Sequence, residues 1–531
     1  MVLHGKNVIA TRLSTEGKES LYAYDAQTGE ELLPAFYHAT KNEIQNAVQA
    51  AELATAEISS YTSGDRARLL RAIAENIIGL GDALIDRCNR ETGLPAGRLE
   101  SERTRTANQL RMFADLIDEG SWVDARIDTA IPDRQPLPKP DIRRILAPIG
   151  PVAVFCASNF PLAFSVAGGD TASALAAGNG VIVKSHSSHP GTAELVAGAI
   201  SDAIKSEGMP LGLFSLVHGP GSQTGIALVT NSGVRAAGFT GSKVGGRALF
   251  DAAAGRENPI PVYAEMGSIN PVFVLPGALS ERGEEIAEGL QGSITLGVGQ
   301  FCTNPGLVVG LQSPAMEQFI DKTGSLISKA PGGTMLNAKI RTAYEQGVNR
   351  LSDTQGVSAA CGPGAVADQS KNQGVPALFR TSVATFLADG GLSEEVFGPA
   401  SLVVEGTSKS DLMRIAEALD GHLTATIHGT EADLRDYADL VRTLESKVGR
   451  VIFNGFPTGV EVCPSMNHGG PYPATTDVHY TSVGTAAIFR FVRPICYQGF
   501  PDEALPPALK NGNPLRLMRT VNGKTTRNPV G

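Results

Sequence analysis

The first part of the chain repeats apolar residues at helical spacing. Residues 42–59, 66–80 and 109–117 each carry apolar positions three or four apart, which predicts amphipathic helices. Four prolines then stand between residues 132 and 140. Because proline removes a backbone donor and disfavours helix in the residue before it, they predict a stiff, extended connector.

Beyond residue 150, short apolar runs rich in β-branched residues alternate with helical stretches. The predicted strands are 151–157, 181–184, 213–218, 236–240 and 262–265, and the predicted helices are 163–177, 191–205 and 244–254. This alternation implies right-handed crossovers and a parallel sheet. A second α/β stretch runs from residue 271 to about 452, with helices at 286–296 and 411–419, and a strand-like segment follows at 486–492.

Composition narrows the class of protein. With 42% hydrophobic and 19% charged residues, a net charge of −9 and no long basic run, the chain fits a globular protein without a nucleic-acid or anionic-membrane partner. The six cysteines contain no C-x-x-C pair, so neither a zinc site nor a disulfide framework is predicted. The chain starts without the apolar region of a signal peptide, and proline and glycine interrupt its charge-free stretches. We therefore expect a soluble cytoplasmic protein.

Glycine is enriched in one part of the chain. Of the 60 glycines, 26 lie between residues 151 and 310. Glycine permits close backbone approach and left-handed dihedrals, so this stretch is predicted to need both repeatedly.

The strongest candidate for chemistry is Cys302, in the segment Gly-Val-Gly-Gln-Phe-Cys-Thr at 297–303. Glycines before the thiol and Asn-Pro after it predict a loop that a ligand can approach closely. Two interpretations stand open here, a nucleophile and a small buried apolar side chain. A nucleophile needs a base or a positive site that lowers its pKa.

The base is less obvious from sequence. None of the nine histidines is a clear partner for the thiol, and the His186–His189 spacing lacks the helix and the third ligand of a metal site. Glu265 ends an apolar strand, which places a carboxylate at the carboxyl edge of the sheet, where open α/β sheets bind ligands. A solvated acid at a strand end is the alternative.

A glycine turn between a strand and a helix follows Phe239, in Phe-Thr-Gly-Ser-Lys-Val-Gly-Gly at 239–246. The free backbone N–H groups of such a helix start can bind a pyrophosphate. The spacing of Gly241, Gly245 and Gly246 does not match the G-x-G-x-x-G fingerprint, and a simple connection is the alternative.

Several separated motifs agree with one family. They are Ser-Asn-Phe-Pro at 158–161, Gly-Asn at 178–179 with Val-Lys at 183–184, Phe-Thr-Gly-Ser at 239–242, Ala-Glu-Met-Gly at 264–267, Gly-Gln-Phe-Cys at 299–302 and Glu-Glu-Val-Phe-Gly-Pro at 394–399. In order and spacing the chain resembles the aldehyde dehydrogenase superfamily over nearly its whole length. Pro-Thr-Gly-Val-Glu-Val-Cys at 457–463 and His-Gly-Gly-Pro-Tyr-Pro-Ala-Thr at 468–475 are similar to the branch that oxidises 2-oxoglutarate semialdehyde (2,5-dioxopentanoate).

The resemblance implies an α/β fold of the aldehyde dehydrogenase type, with two Rossmann-like parallel-sheet domains and a small oligomerisation arm. It divides the chain into a dinucleotide-binding domain at 1–265, whose Pro-rich connector lies near 132–148, a catalytic domain at 266–455 and a C-terminal segment at 456–531. That last segment would return to the substrate tunnel and supply the oligomerisation strand, at 486–492, of a homodimer or homotetramer.

By the same resemblance, Cys302 attacks the aldehyde carbon and forms a thiohemiacetal. The side-chain amide of Asn159 and the backbone N–H of Cys302 stabilise the oxyanion. Hydride transfer to NAD or NADP leaves a thioester, and Glu265 activates the water that hydrolyses it. For Asn159 an Asx-turn before Pro161 is the alternative.

The cofactor-binding residues implied by the resemblance lie along the whole α/β region; they are Lys184, Ser187, Gly241, Ser242, Gly245, Glu395 and Phe397. Two positions depart from the family pattern in a way that bears on the coenzyme: Ser185 replaces a proline, and Ser187 replaces an acid that would repel a 2′-phosphate. The missing acid favours NADP, while the absence of a nearby arginine leaves NAD possible. Ser268, where the family repeats glycine, is tolerated unless its φ must be positive.

The aldehyde tunnel is expected to be lined by Phe160, Phe164, Gln300, Phe456 and Cys463, with core packing as the alternative for the aromatic rings. Sequence does not identify the cation for an acidic substrate. Three other functions stay open: broad or fatty-aldehyde specificity, a thiol acyltransferase or esterase without redox chemistry, and a non-catalytic protein that keeps the fold.

Overall fold

The computed structural model describes residues 2–362, 366–368 and 371–530. Its strands, in chain order, are β1 (Asn7–Ile9), β2 (Arg12–Ser14), β3 (Ser20–Tyr24), β4 (Glu31–Tyr37), β5 (Arg126–Asp128), β6 (Ile142–Pro148), β7 (Val152–Phe155), β8 (Val181–Lys184), β9 (Phe214–Val217), β10 (Ala236–Thr240), β11 (Val262–Glu265), β12 (Val272–Val274), β13 (Leu307–Leu311), β14 (Gly333–Thr334), β15 (Val357–Ala359), β16 (Gln373–Gly374), β17 (Ala377–Ser382), β18 (Ala400–Gly406), β19 (His422–His428), β20 (Val448–Phe453), β21 (Val492–Gln498), β22 (Arg519–Val521) and β23 (Lys524–Thr526).

The helices, in chain order, are α1 (Lys41–Glu57), α2 (Ser63–Gly79), α3 (Gly81–Thr92), α4 (Ala96–Glu119), α5 (Gly169–Ala177), α6 (Pro190–Ser206), α7 (Ile226–Val229), α8 (Lys243–Ala254), α9 (Pro276–Thr295), α10 (Pro314–Lys329), α11 (Ala338–Asp353), α12 (Val383–Ala388), α13 (Lys409–Ala418), α14 (Glu431–Asp436) and α15 (Ala438–Glu445). Within the described residues, no helix is both long and apolar enough to cross a bilayer.

The first sheet has the strand order β11-β10-β7-β8-β9-β1-β2, in which the first five strands are parallel and the last two antiparallel. Side chains alternate between its faces: Val152 and Val154 pack with α2, α4, α5 and α6, while Ala153 and Phe155 pack with α1, α7 and α8. Because both faces are covered by helices, the strands read as continuous apolar runs, and this is why they were predictable.

The second sheet has the order β15-β17-β18-β13-β12-β19-β20 and is parallel except for β15. One face packs against α12, α13 and α15, and the other against α9 and α10. Two sheets covered by helices confirm the predicted α/β class.

A third sheet, β21-β6-β5-β22-β23, joins distant parts of the chain. Its longest pairing is antiparallel, from Val492 opposite Pro148 to Gln498 opposite Ile142. The predicted connector near 132–148 therefore ends in a strand, β6. The small arm draws β5 and β6 from the range assigned to the first domain, so it is not built by the C-terminal segment alone.

The strand predicted at 486–492 is wrong. Thr485–Phe491 is a 3₁₀ helix, and strand β21 begins only at Val492. Ala487, Ile488 and Phe491 are all buried in the core of the first sheet. The apolar residues that suggested a strand thus face one core at helical spacing instead of alternating between two faces.

Other predictions agree with the structure to varying degrees. The strands at 181–184, 236–240 and 262–265 are confirmed with the same bounds. The N-terminal part is less purely helical than predicted, because β1 to β4 precede α1. Helix α3 was not predicted.

Candidate active site

The carboxyl edge of the first sheet gathers the predicted site residues. In the parallel register Thr240 lies opposite Glu265, and Phe155 lies opposite Lys184. Asn159 follows four residues after the end of β7. Because parallel strands all end at one edge, residues far apart in sequence meet there.

The thiol loop reaches this edge from the end of α9 through left-handed backbone. Gly297, Val298 and Gly299 have φ values of 56°, 58° and 63°. A Cβ on Gly299 would lie 2.3 Å from the carbonyl carbon of Gly398. Glycine at 299 is thus required by close approach of the chain to itself, and not by the ligand approach inferred from sequence. Val298 has a β-branched side chain in this region, which costs on the order of 1–3 kcal/mol and indicates a loop held by its surroundings.

Three reactive side chains meet at the sheet edge. The Sγ of Cys302 lies 3.4 Å from Nε2 of His468, and that nitrogen lies 3.0 Å from Oε1 of Glu265. The ligand atoms of all three are within 4.8 Å of one another. His468 and Glu265 are buried, and Cys302 is partly buried. This thiol, imidazole and carboxylate can therefore exchange a proton.

His468 corrects the prediction that no histidine partners the thiol. It lies 166 residues beyond Cys302, in the segment between β20 and β21, which the structure folds back onto the end of β11. The backbone N–H of Met266 donates to the carbonyl of Ala474, at 2.8 Å, and Glu265 forms a β-bridge with Thr475. The one signal in the sequence was the His-Gly-Gly-Pro motif at 468–471, which matched a family branch without suggesting a role.

The electrostatics favour an ionised Glu265 beside a protonated thiol. Burial alone would raise the pKa of Glu265, but the neighbouring His468 and hydrogen bonds from Ser482 and Cys302 outweigh burial and lower the pKa. Burial and the neighbouring Glu265 carboxylate raise the pKa of Cys302 well above its usual value, and Arg105 opposes them. The thiol must therefore lose its proton to a neighbour as it attacks.

Asn159 is buried beside the thiol loop. Its Nδ2 donates to the carbonyl of Gln300, two residues before Cys302, at 3.0 Å, and its backbone carbonyl accepts from Nη2 of Arg98, at 2.7 Å. A side-chain amide held against the thiol loop has the placement that an oxyanion donor needs. Its catalytic role stays a prediction.

Asn270 is a structural residue of the site that sequence reasoning missed. Its Nδ2 donates to the carbonyls of Cys302 and Asn304, at 2.8 and 2.9 Å, and so holds the backbone on both sides of the thiol. Ser268, whose φ is not positive, donates its hydroxyl to Oδ1 of Asn270, at 2.9 Å. The departure from glycine at 268 is accommodated and adds a hydrogen bond.

The residues predicted to bind the dinucleotide have a suitable set of charges and donors. Lys184 is buried at the sheet edge, and burial lowers its pKa to about 8. Ser242 caps α8 by accepting from the N–H of Gly245, at 3.2 Å, and the exposed first turn of α8 leaves backbone donors for a phosphate. Glu395 accepts from the N–H of Ser268, at 3.3 Å, and burial raises its pKa to about 7.

The other residues predicted to bind the cofactor differ in how exposed their side chains are. Ser187 is exposed just past the end of β8. Gly241 donates its N–H to the carbonyl of Glu265, at 3.0 Å, which ties the glycine turn to the end of β11. Phe397 is partly buried against a small apolar cluster from α3 and α4.

The histidines near Ser187 are weak candidates for binding a 2′-phosphate. His186 and His189 stack with ring centroids 5.3 Å apart, and burial lowers the pKa of both. His189 also uses Nε2 on the carbonyl of Ala157, at 2.8 Å. Neutral imidazoles attract a phosphate less than an arginine does.

The predicted tunnel residues Phe160 and Phe164 pack on each other, and Phe164 lies near a reactive group. Their ring centroids are 5.3 Å apart, and Phe164 lies 6.3 Å from the ring of His468. Gln300 is fully buried, with its side chain bonded to the backbone of Gly297 and Leu336 at 3.2 and 2.9 Å, an arrangement that fixes the loop.

The other two predicted tunnel residues lie on the C-terminal segment. Phe456 packs on the ring of His428, with centroids 4.8 Å apart. Cys463 is partly buried, and its carbonyl accepts from Met466, at 3.2 Å. That all five line the tunnel stays a prediction.

Comparison with known proteins agrees with this geometry. The sequence matches the aldehyde dehydrogenase family model over residues 14–473. It is 48% identical over 525 residues to alpha-ketoglutaric semialdehyde dehydrogenase 2 of Azospirillum brasilense, which covers 99% of this chain and 100% of the relative. It is 47% identical over 511 residues to the alpha-ketoglutaric semialdehyde dehydrogenase of Acinetobacter baylyi, covering 96% of each. The fold is similar to a crystal structure of betaine aldehyde dehydrogenase from Staphylococcus aureus in complex with NAD+, with a TM-score of 0.79 at 20% identity over 94% of this chain and 96% of that one.

Proposed function

The chain belongs to the aldehyde dehydrogenase family, and we propose that its substrate is 2-oxoglutarate semialdehyde (2,5-dioxopentanoate), which it oxidises to 2-oxoglutarate. The aldehyde and water yield the carboxylate, while NAD or NADP takes up the hydride. The observation that carries the proposal is the buried group of Cys302, His468 and Glu265 beside Asn159. The names of two relatives at 48% and 47% identity support the substrate.

In the first step, Sγ of Cys302 bonds to the aldehyde carbon and its proton passes to Nε2 of His468, 3.4 Å away. The carboxylate of Glu265 stabilises the resulting imidazolium across 3.0 Å. The amide of Asn159 and the backbone N–H of Cys302 donate to the new oxyanion, and one such donor contributes roughly 10²–10³ in rate.

Lys184, Glu395 and the start of α8 would hold NAD or NADP, which when bound would supply the hydride acceptor. Loss of that hydride from the thiohemiacetal leaves a thioester on Cys302. Glu265 then takes a proton from water as the water attacks the thioester carbon. The thiolate of Cys302 leaves with the bonding electron pair and is neutralised by the proton held at His468.

For the coenzyme we propose NADP, because Ser187 stands where an acid would repel the 2′-phosphate. The neutral histidines beside it supply little attraction, so NAD remains an acceptable partner. Comparing the Kd values of the two coenzymes by calorimetry tests this preference.

We also propose a homodimer or homotetramer assembled through the arm. Strand β21 is the edge of the third sheet, paired on one side with β6. Its side chains are exposed or partly buried in this chain. An exposed edge of this length is stabilised by pairing with a second copy. Light scattering of the protein checks the assembly.

A second candidate activity is coenzyme-independent ester or thioester hydrolysis. The Cys302–His468 pair favours it, since thiol hydrolases use this arrangement. Hydrolysis of p-nitrophenyl acetate without coenzyme measures it. Esterase turnover with no aldehyde oxidation would replace the proposed function.

The test of the proposed function is a substrate panel. Protein, coenzyme and one aldehyde are mixed, and the absorbance of the reduced coenzyme is followed for 2,5-dioxopentanoate and for fatty, aromatic and amino aldehydes. We expect the highest kcat/KM for 2,5-dioxopentanoate. A higher value for a fatty aldehyde would favour broad specificity, and no reduction of either coenzyme with any aldehyde would contradict the dehydrogenase activity itself.

A further inference from the structure

We propose that the guanidinium of Arg105 binds the carboxylate of the substrate and so selects acidic aldehydes. This inference rests on the proposed function, because it identifies how that site recognises its substrate class. Arg105 belongs to α4, far from the thiol in sequence, and no motif drew attention to it.

Arg105 lies on the face of α4 that covers the aldehyde tunnel. Arg98, Glu102 and Arg105 are spaced at i, i+4 and i+7, which places them on one side of the helix. The guanidinium carbon of Arg105 lies 5.6 Å from the ring centroid of Phe160 and 5.7 Å from that of Phe164. These two rings are the predicted tunnel wall beside the reactive groups.

The donors of Arg105 are shielded from water and free. In the described part of the chain, its Nε and Nη2 are buried and make no hydrogen bond. A buried donor without a partner costs roughly 1–3 kcal/mol, and more when it is charged. A ligand carboxylate accepting both N–H groups in a bidentate pair would remove that cost.

The neighbouring cations are already used. Arg98 donates through Nη2 to the carbonyl of Asn159, at 2.7 Å, so it positions the oxyanion donor. Arg450 donates to the carbonyls of Pro457 and Gly459, at 2.8 and 3.3 Å. Among these three arginines, Arg105 alone has two buried nitrogens without a partner.

The charge of Arg105 reaches the reacting groups. Burial lowers the pKa of Arg105, and the charges of Glu102, Cys302, Glu461 and Glu265 oppose that effect. In return Arg105 lowers the pKa of Cys302 only slightly, against the much larger effects of burial and Glu265. In extended form the four C–C bonds of 2,5-dioxopentanoate separate its carboxylate from its aldehyde carbon by about 5 Å. A carboxylate at Arg105 and an aldehyde at Cys302 are thus opposite ends of one small molecule.

Two acids could compete with the substrate for Arg105. Glu102 is buried on the same helix face, but its Oε1 accepts from the N–H groups of Leu162 and Ala163, at 2.9 and 3.0 Å. Glu461 is exposed on the C-terminal segment. An exposed surface acid is displaced more readily by a ligand than a buried one held by backbone donors.

The test compares an acidic aldehyde with a neutral one of equal length, 2,5-dioxopentanoate with pentanal, in three variants. Arg105→Met removes the charge, Arg105→Lys keeps the charge without the planar donor pair, and Arg111→Met is the control. Arg111 is on the exposed side of the same helix and pairs with Glu75 at 2.7 Å. We expect Arg105→Met to lower kcat/KM for 2,5-dioxopentanoate by about 30-fold or more, chiefly through KM, with pentanal changed by less than about 3-fold.

The outcomes separate the two proposals. Parallel losses for both aldehydes, or no loss for either, would overturn the role of Arg105 in recognition. If Arg105→Met does not fold, Arg105→Lys decides, because it too must lose activity only toward the acidic aldehyde. If the wild-type enzyme prefers pentanal, the proposed substrate is contradicted. If the wild-type enzyme prefers 2,5-dioxopentanoate and Arg105→Lys keeps that preference, only the proposed role of Arg105 is contradicted.

Discussion

The substitution His468→Asn tests the group that activates the thiol. It removes the nitrogen that lies 3.4 Å from Sγ of Cys302 and 3.0 Å from Oε1 of Glu265. Without it, the thiolate loses its positive neighbour and still faces the carboxylate. We expect the pKa of Cys302, already raised by burial and by Glu265, to rise further.

The size of the effect follows from the contact that is lost. A hydrogen bond to a charged group contributes roughly 1.5–3 kcal/mol, and one pKa unit corresponds to about 1.36 kcal/mol. The pKa of Cys302 should therefore rise, by an amount that corresponds to the lost hydrogen bond. Below that pKa the thiolate fraction falls tenfold per unit, so alkylation and kcat/KM should both drop by about 10- to 100-fold at pH 7.

The assay is alkylation of Cys302 by iodoacetamide across pH, followed on the Cys302 peptide by mass spectrometry, since Cys463 and Cys496 are accessible too. The control is His479→Asn, an exposed histidine paired with Asp477 at 2.8 Å. Alkylation in His468→Asn should need a higher pH, while the control follows the wild type. An unchanged pH profile in a folded His468→Asn protein would refute the proposed activation.

Three further predictions concern the later steps and the coenzyme. Cys302→Ala should abolish aldehyde oxidation and leave the coenzyme Kd, measured by calorimetry, within about 3-fold; substantial turnover would contradict the nucleophile assignment. Glu265→Gln should slow thioester hydrolysis by about 10²–10⁴-fold. Stopped-flow measurements should then show a burst of reduced coenzyme followed by a slow steady state. A steady state at the wild-type rate would count against the role of Glu265. Coenzyme affinity should be highest between about pH 7 and pH 8. Glu395, with a pKa of about 7, must be ionised to accept from the ribose hydroxyls, so affinity falls at lower pH. Lys184, with a pKa of about 8, loses its positive charge above that pH, so affinity falls at higher pH as well. Glu395→Gln should remove the acid limb and Lys184→Met the alkaline limb; a flat profile in the wild type would contradict both roles.

The parallel core was predictable because its pattern is local. Strands β8, β10 and β11 are buried on both faces, so their residues form unbroken apolar runs with clear ends. Thr485–Phe491 was misassigned for the opposite reason. Its apolar residues pack on one core in a tight helix, and over seven residues this pattern is hard to distinguish from a buried strand.

The residues of the candidate site were likewise identified from sequence only where the signal was local. Cys302 and Glu265 were identified from sequence because a glycine loop and a strand end lie beside them, and Lys184 was implied by the family resemblance. His468 and Arg105 were not identified as functional residues, because each reaches the tunnel through contacts across distant parts of the chain. Such contacts leave no period or spacing in the sequence.

By itself the sequence determined the α/β class and the strands that carry the site, and it pointed to the thiol and the carboxylate that we propose for the reaction. The tertiary structure alone decided which base meets the thiol and which cation has free donors facing the tunnel. It also showed that Gly299, one of the glycines enriched between residues 151 and 310, is needed because the backbone of Gly398 packs closely against it. The physical reason is that hydrophobic periodicity records which face of a segment is buried, while the partner on the other side of that face is set by how the whole chain folds.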